Sequence, residues 1–304
     1  MTIKSANTNL TFRKLKISDY NKFKNLFYSC FKKEISYNFF KWRYFNDKLS
    51  FCYGVFDSLE LIANVGLKAM KVNNKRNERV FSRHSSMVSV KYRGIGIFSR
   101  LLSEVKKNFS KDANIILMWP NKNNFASFGI DKKRIVKKKY YLYQTSLCTK
   151  KLKKTNNFDI NHLNKFKHFI QSDNNFLCKN FSYFNNRYFL YKKKEYFLNV
   201  FEFKKAKSFF IIKKNKDKLG FNFVILDHFG SKSIKSKHLE QVINDEGKII
   251  FWSKKKINKI KYKLIDYINV NIGFIEEINL KKKIAFFKKK EFMLGDTDSF
   301  ISLN

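Results

Sequence analysis

Hydrophobic spacing along the chain switches repeatedly between a period of two and a period near 3.6. Residues 10–17 read as a strand that ends at a polar cap. Ser18-Asp19 then opens a helix with Tyr20, Phe23, Leu26, Phe27, Cys30 and Phe31 on one face. Residues 38–45 are dense in aromatics and predict a short packing helix. A meander follows. Residues 51–57 form a strand, Ser58-Leu59-Glu60 a turn and 61–72 a second strand. Asn73 to Asn77 is a polar turn, and 79–90 a third strand. That third strand alternates imperfectly, as a strand buried on both faces does. Phe98, Leu101, Leu102, Val105 and Phe109 keep helical spacing, and 115–119 is a buried-type strand closed by Pro120, the single proline. A short helix with Phe125 and Phe128 and a strand at 140–147 complete the first half.

After a charged link at 150–157 the pattern partly repeats. Leu163, Phe166, Phe169 and Ile170 share a helix face. Strands are predicted at 196–203, 208–214 and 219–228, a helix at 234–244, a strand at 249–252 and a helix at 257–269. A final strand pair is predicted at 284–287 and 291–294. The expectation is an α/β (α+β) chain of two domains, 1–148 and 155–304, each a mixed, mostly antiparallel sheet flanked by helices.

The stretch with the most chemistry runs from Met87 through Leu102: strand, glycine loop, helix. Gly94 and Gly96 permit positive φ and close approach of a ligand to backbone N–H groups. A helix starting under such a loop presents free N–H groups and a positive dipole end, which suits a pyrophosphate. No Gly-Lys-Ser/Thr follows, so this is not a P-loop. Position 99 is Ser, so the dinucleotide pattern G-x-G-x-x-G fails.

The loop reads Arg93-Gly94-Ile95-Gly96-Ile97-Phe98, that is, Arg-x-x-Gly-x-Phe. It resembles the acetyl-CoA loop of the GNAT acyltransferase superfamily, usually Arg/Gln-x-x-Gly-x-Gly/Ala. Arg93 and Gly96 match, and Phe98 departs at the last small position. The element order of 1–148 is similar to that superfamily throughout, as is the opening FRKLKISDYNKF. WPNKNNFASF looks like the Pro-Asn-x-Asn segment of GNAT-type sugar acetyltransferases. The resemblance implies a splay of the two central strands around pantetheine, with Pro120 suited to it. It also implies acetyl-CoA held by Ser86, Met87, Val88, Arg93, Gly94, Ile95, Gly96, Ile97, Phe98, Asn121 and Asn124. Residues 38–45 would then wall the acceptor side. The family's Tyr near the leaving thiolate has no match before Tyr140, and its usual Gly-Phe is replaced by Arg134-Ile135. The second half is similar in element order, but Phe229 to Ser233 replaces the loop motif, so it is expected to be a partner or substrate-side domain.

Amine acylation by a thioester needs the donor held, its carbonyl polarised, the amine neutral and the thiolate accommodated. A backbone N–H near Ser86–Ser89 is the candidate for polarising the carbonyl. His84, four residues before Val88 and so expected on the same strand face, is the candidate base. Histone-type members of the superfamily place theirs where Ser82 stands, and Ser82 cannot serve.

Composition adds limits. The net charge of +40 points to nucleic acid or anionic membrane. However, only nine of the 64 basic residues are Arg, and the chain has a general Lys/Asn/Ile/Phe bias. The charge therefore reads as a solvated lysine surface, and no specific nucleic-acid partner is expected. Cys30, Cys52, Cys148 and Cys178 lack C-x-x-C spacing, and no metal site is expected. Asp296 and Asp298 alone make a weak ligand set. No run approaches the ~18 apolar residues of a membrane span, and no apolar leader is seen. The expectation is a reduced, cytoplasmic, soluble enzyme. It would use acetyl-CoA as acyl donor and acylate a small amine, which the resemblance makes an amino sugar for surface polysaccharide. Two alternatives stay open: a non-catalytic GNAT-fold module binding RNA or an anionic surface through lysines, and an acyltransferase acting on a protein or peptide amine.

Overall fold

The structure, a computed structural model, describes residues 10–46, 49–70, 79–109, 115–118, 132–146, 157–158, 181–184, 196–203, 206–217, 220–230, 248–253, 256, 263–274 and 280–289. The chain divides into two compact units, neither continuous in sequence: 1–136 with 271–282, and 137–270 with 283–304.

In the first unit the short strand β1 (Leu10–Lys14) leads into helix α1 (Tyr20–Phe31). The expected cap is present in a modified form. Asp19 stands at the N-cap but makes no side-chain bond to the helix. Instead its carboxylate accepts two bonds from the Arg13 guanidinium, at 2.8 and 2.9 Å, and one from the Lys16 N–H at 2.8 Å. Helix α1 buries Phe23, Leu26 and Phe27 and stops at Lys32, whose left-handed backbone (φ 54°) returns its N–H to the Tyr28 carbonyl. Helix α2 (Tyr37–Phe45) starts at Ser36, whose hydroxyl accepts from the Phe39 N–H at 3.2 Å. It is a packing helix: Phe40 and Tyr44 are buried and meet Phe23 at ring separations of 4.8 and 5.4 Å.

The Arg13–Asp19 bond holds the Asp19 carboxyl below the usual carboxylate range. A depressed folded pKa means that the unfolded chain binds the proton first as pH falls. The stabilisation is therefore present above the unfolded value, about 3.9, and is lost as pH drops through the folded value. Melting temperature should fall below about pH 4, and less steeply in Arg13→Gln. Identical acid slopes in the two proteins would show that this pair does not contribute.

Strands β2 (Phe51–Asp57), β3 (Glu60–Met70) and β4 (Val80–Val88) form the expected antiparallel meander. Helix α3 (Ile97–Phe109) lays Ile97, Leu101, Leu102 and Val105 on one face of it, against Val55, Ile62, Val65 and Phe81. β5 (Ile115–Met118) then runs parallel to β4. Burial of both faces of this sheet explains the imperfect alternation of its central strands.

In the second unit, β6 (Ile135–Ser146) lies mostly within its bounds, followed by β7 (Asn157–Phe158), β8 (Tyr196–Phe203), β9 (Ala206–Asp217), β10 (Gly220–Gly230) and β11 (Lys248–Ser253). Strands β7 to β10 pair antiparallel in sequence order. β11 joins β10 in parallel, and β6 joins β11 antiparallel. β12 (Lys263–Phe274) follows.

Two local expectations are corrected. Residues 263–269 are strand, not helix, because Ile268, Val270, Ile272 and Phe274 continue a period of two past the window read as helical. Residues 280–289 are helix, not the strand at 284–287. Lys283 and Phe287 are buried on one side with Leu280 and Ile284 half-buried beside them, a spacing of three and four. The strand expected at 140–147 is present as the later part of β6, and its residues 141–146 pair with β11. The end of β12 lies beside β5, with Asn271 opposite Met118 and Phe274 opposite Ile115. Strand partners are chosen by long-range packing, of which local periodicity carries no record. The helices expected at 163–170 and 234–244 lie outside the described residues.

Candidate functional site

Among the described residues the parallel ladder between β4 and β5 pairs Val80, Phe81 and Ser82 with Ile115, Ile116 and Leu117. β4 continues to Val88. The expected splay of the two central strands falls beyond Met118, outside the described residues. Trp119, Pro120, Asn121 and Asn124 lie outside the described residues.

β4 also carries a bulge. His84 stands opposite Gly66 and Met87 opposite Asn64, so Ser85 and Ser86 together face the single residue Val65. Ser85 takes φ 44°, a left-handed conformation uncommon outside glycine. The bulge overturns the expectation that His84 and Val88 share a face. Their partners, Gly66 and Ala63, are three residues apart on β3 and so point oppositely. His84 is buried, on the Gly66 face where Tyr44 packs. Ser82, two residues earlier with no bulge between, shares that face.

Beyond β4 the chain tightens. The Ser89 N–H donates to the Ile62 carbonyl at 2.8 Å, and a 3₁₀ turn spans Val90–Tyr92. The Arg93 N–H is taken by the Val90 carbonyl, and its Nε donates to the Val88 carbonyl at 3.1 Å. Gly94 and Gly96 both adopt positive φ, 82° and 79°. The Gly96 carbonyl accepts the first bond of α3 from Arg100 at 3.0 Å. The N–H groups of Ile97, Phe98 and Ser99 therefore fall in the first turn, ahead of the helix's own ladder. A Cβ on Gly94 or Gly96 would meet no protein atom within 4 Å, so the space before both is open.

A cleft of about 440 Å³ lies over this loop, within the range of small-molecule sites. Its floor is Ser86, Met87 and Val88, and its loop side is Arg93, Gly94, Gly96, Ile97 and Phe98. These are eight of the expected donor-site residues. Ile95 is 47% exposed and is not part of the lining. His84 is not part of it either.

Sequence reasoning missed four lining residues: Cys30, Phe31, Tyr92 and Ser99. Cys30 and Phe31 come from α1, and Cys30 Sγ lies 3.5 Å from the Val88 carbonyl oxygen it donates to. Only the α1 apolar face hinted at them. Tyr92 tethers the loop, its hydroxyl donating to Asp57 Oδ2 at 2.6 Å, and that bond raises its pKa to about 12. Desolvation lowers that of buried Arg83 to about 10. Among the described residues no group of three or more His, Cys, Asp or Glu is placed to hold a metal ion, and no helix is long and apolar enough to cross a membrane.

An anionic group fits these features, because backbone donors and a helix N-terminus stand at the loop end of the cleft. The departure at Phe98 leaves the donors of its own and neighbouring N–H groups in place and adds a ring to the wall.

Comparison with known proteins agrees. The family model for the acetyltransferase (GNAT) domain matches residues 11–129. No curated protein matches the chain. A GCN5-related N-acetyltransferase of Anabaena variabilis superimposes with TM-score 0.64 at 10% identity, over 88% of this chain and 73% of that one. A probable N-acyltransferase of Enterococcus faecalis gives TM-score 0.66 at 12% identity, over 88% and 73%. The GCN5-related glucosamine N-acetyltransferase region of a fungal multi-domain GH3 β-N-acetylglucosaminidase gives TM-score 0.56 at 12% identity, over 88% and 38%. At such identities the likeness is one of fold.

Proposed function

We propose, from the premise that residues 11–129 carry a GNAT acetyltransferase domain, that the protein is an acetyl-CoA-dependent N-acetyltransferase. Its acceptor is a small amine, and an amino sugar is the favoured class. The observation that carries the reading is a cleft floored by Ser86 to Val88 of β4 and walled by a loop whose Gly94 and Gly96 take positive φ directly before a helix N-terminus. Donor phosphates would lie against the N–H groups of Gly94 to Ser99, with Arg93 at the rim. The pantetheine arm would follow Ser86, Met87 and Val88, and Asn121 and Asn124 would take its amides. The amino-sugar class rests on the Pro120-Asn121-x-Asn123 resemblance and on the fungal neighbour's glucosamine activity. We keep His84 as the base, acting through water from the face that α2 covers. Two domains, the second of GNAT type without a cradle, are supported by one parallel. Both units run from an antiparallel meander into a parallel strand and then an antiparallel one. The protein is taken as cytoplasmic.

Calorimetry with acetyl-CoA and an amine panel tests this. Saturable binding with transfer to an amino sugar is expected. A lysine-surface RNA binder would instead show no transfer, and RNA affinity falling about 10³–10⁵-fold between 50 and 200 mM salt. For the base, His84→Ala should lower turnover mostly near neutral pH, and the loss should shrink at high pH where the amine is already neutral. A loss equal at all pH values reduces His84 to a structural residue.

A further inference from the structure

We infer that Tyr44, Asn64 and Ser85 form a clamp that holds the β4 bulge and so sets the direction of the Ser86 and Met87 backbone at the cleft floor. The inference rests on the reading of the cleft as an acetyl-CoA site, and the three are positioning residues.

A left-handed Ser persists only where its surroundings over-determine it. Both ends of Ser85 are held. Its hydroxyl is hydrogen-bonded to the Tyr44 hydroxyl, and its carbonyl accepts from Asn64 Nδ2 at 3.0 Å. Tyr44 and Asn64 are themselves fixed, at 1% and 0% exposure. The Tyr44 ring lies so close over Gly66 that a Cβ there would stand 2.8 Å from it. Phe23 and Phe40 pack against the ring at 5.4 and 5.6 Å. The clamp therefore joins α2, β3 and β4 at one residue.

Its position gives it consequence. Ser86 and Met87, the next two residues, line the cleft. Straightening the bulge would shift residues 86–89 by one against β3, turning every side chain there to the opposite face and every N–H to the opposite edge of the strand. Donor carbonyl polarisation needs donors fixed where charge develops. A clamp that fixes the bulge acts on that step and leaves the phosphate cradle alone.

The test uses the full chain and acetyl-CoA, whose slow hydrolysis needs no known acceptor. Tyr44→Phe keeps the ring and removes the hydroxyl. Ser85→Gly removes the hydroxyl while suiting the left-handed backbone, so a purely structural role predicts equal or higher melting temperature and unchanged chemistry. The expected result in both is about tenfold lower kcat with acetyl-CoA affinity within about threefold. The carbonyl stretch of bound ¹³C-acetyl-CoA should move back toward its free frequency. The double variant should be no worse than either single one, since both remove the same bond. Wild-type kcat and carbonyl frequency in folded variants overturn the clamp, as does activity that falls only in step with melting temperature. Absence of acetyl-CoA binding in the wild type overturns the site reading itself, and the clamp with it.

Discussion

Gly96→Asp should weaken acetyl-CoA binding by roughly 5-fold to 10³-fold, with the protein still folded. Two effects operate. At φ 79° any side chain is strained, at about 1–2 kcal/mol. A carboxylate ~4 Å from a pyrophosphate charge costs roughly 1–4 kcal/mol at effective dielectrics of 80 to 20, and each 1.4 kcal/mol is about tenfold in affinity. The strain acts on free and bound protein alike, so it appears mainly as lost stability, while the charge appears as lost affinity. Gly96→Ala separates them: a Cβ there meets no protein atom within 4 Å, so it should lower melting temperature slightly and affinity only a few-fold. The Asp effect should also shrink as salt rises. Unchanged affinity in folded Gly96→Asp would remove the basis for placing the donor phosphates at this loop.

Phe23→Ala should be the most destabilising single change outside the loop. Phe23 is fully buried, and its ring meets those of Phe27, Phe40 and Tyr44 at 6.0, 4.8 and 5.4 Å. Truncating a buried Phe costs about 3–5 kcal/mol, a large part of the ~5–15 kcal/mol that holds a domain together. For a unit of this size that is roughly 6–20 °C in melting temperature. Phe23→Leu should cost much less, because it refills most of the space. A loss below about 1 kcal/mol in Phe23→Ala would mean that α1 and α2 do not pack as one block. Since Phe23 also backs Tyr44, turnover should fall at temperatures below the melting transition.

The parts of this molecule legible in the sequence are those set by neighbours a few residues away. The face of α1, the end of the 51–57 strand, the meander and the run of α3 depend on local period and turn chemistry, and the structure has them where the spacing puts them. The glycine loop was legible because positive φ at Gly94 and Gly96 needs that residue type. The bulge was not. Ser85 and Ser86 carry no Gly or Pro to announce a left-handed residue, and the conformation is maintained by Tyr44 and Asn64, 41 and 21 positions away. Missing it reversed the facing of His84. Cys30 and Phe31 escaped notice in the cleft for the same reason: they arrive from α1 through packing across the sheet. In β12, a window ending at Asn269 cut the alternating run and let a helical reading win.

The pairing of β12 with β5 has a consequence for how the protein is made. Met118 leaves the ribosome before its partner Asn271 by roughly 150 residues, about 8–30 s at 5–20 residues per second. Through that interval one edge of β5, lined by Ile115 to Met118, has its backbone donors and acceptors unclaimed by the strand that finally covers them. An open apolar edge invites pairing with another chain. The glycine loop at 94–96 is made before β5 itself, so a nascent chain acquires its loop early and its finished sheet late. Slower translation of the second half lengthens the exposed period, and holdase chaperones that shield strand edges should raise the yield of active protein more than those that assist isomerisation.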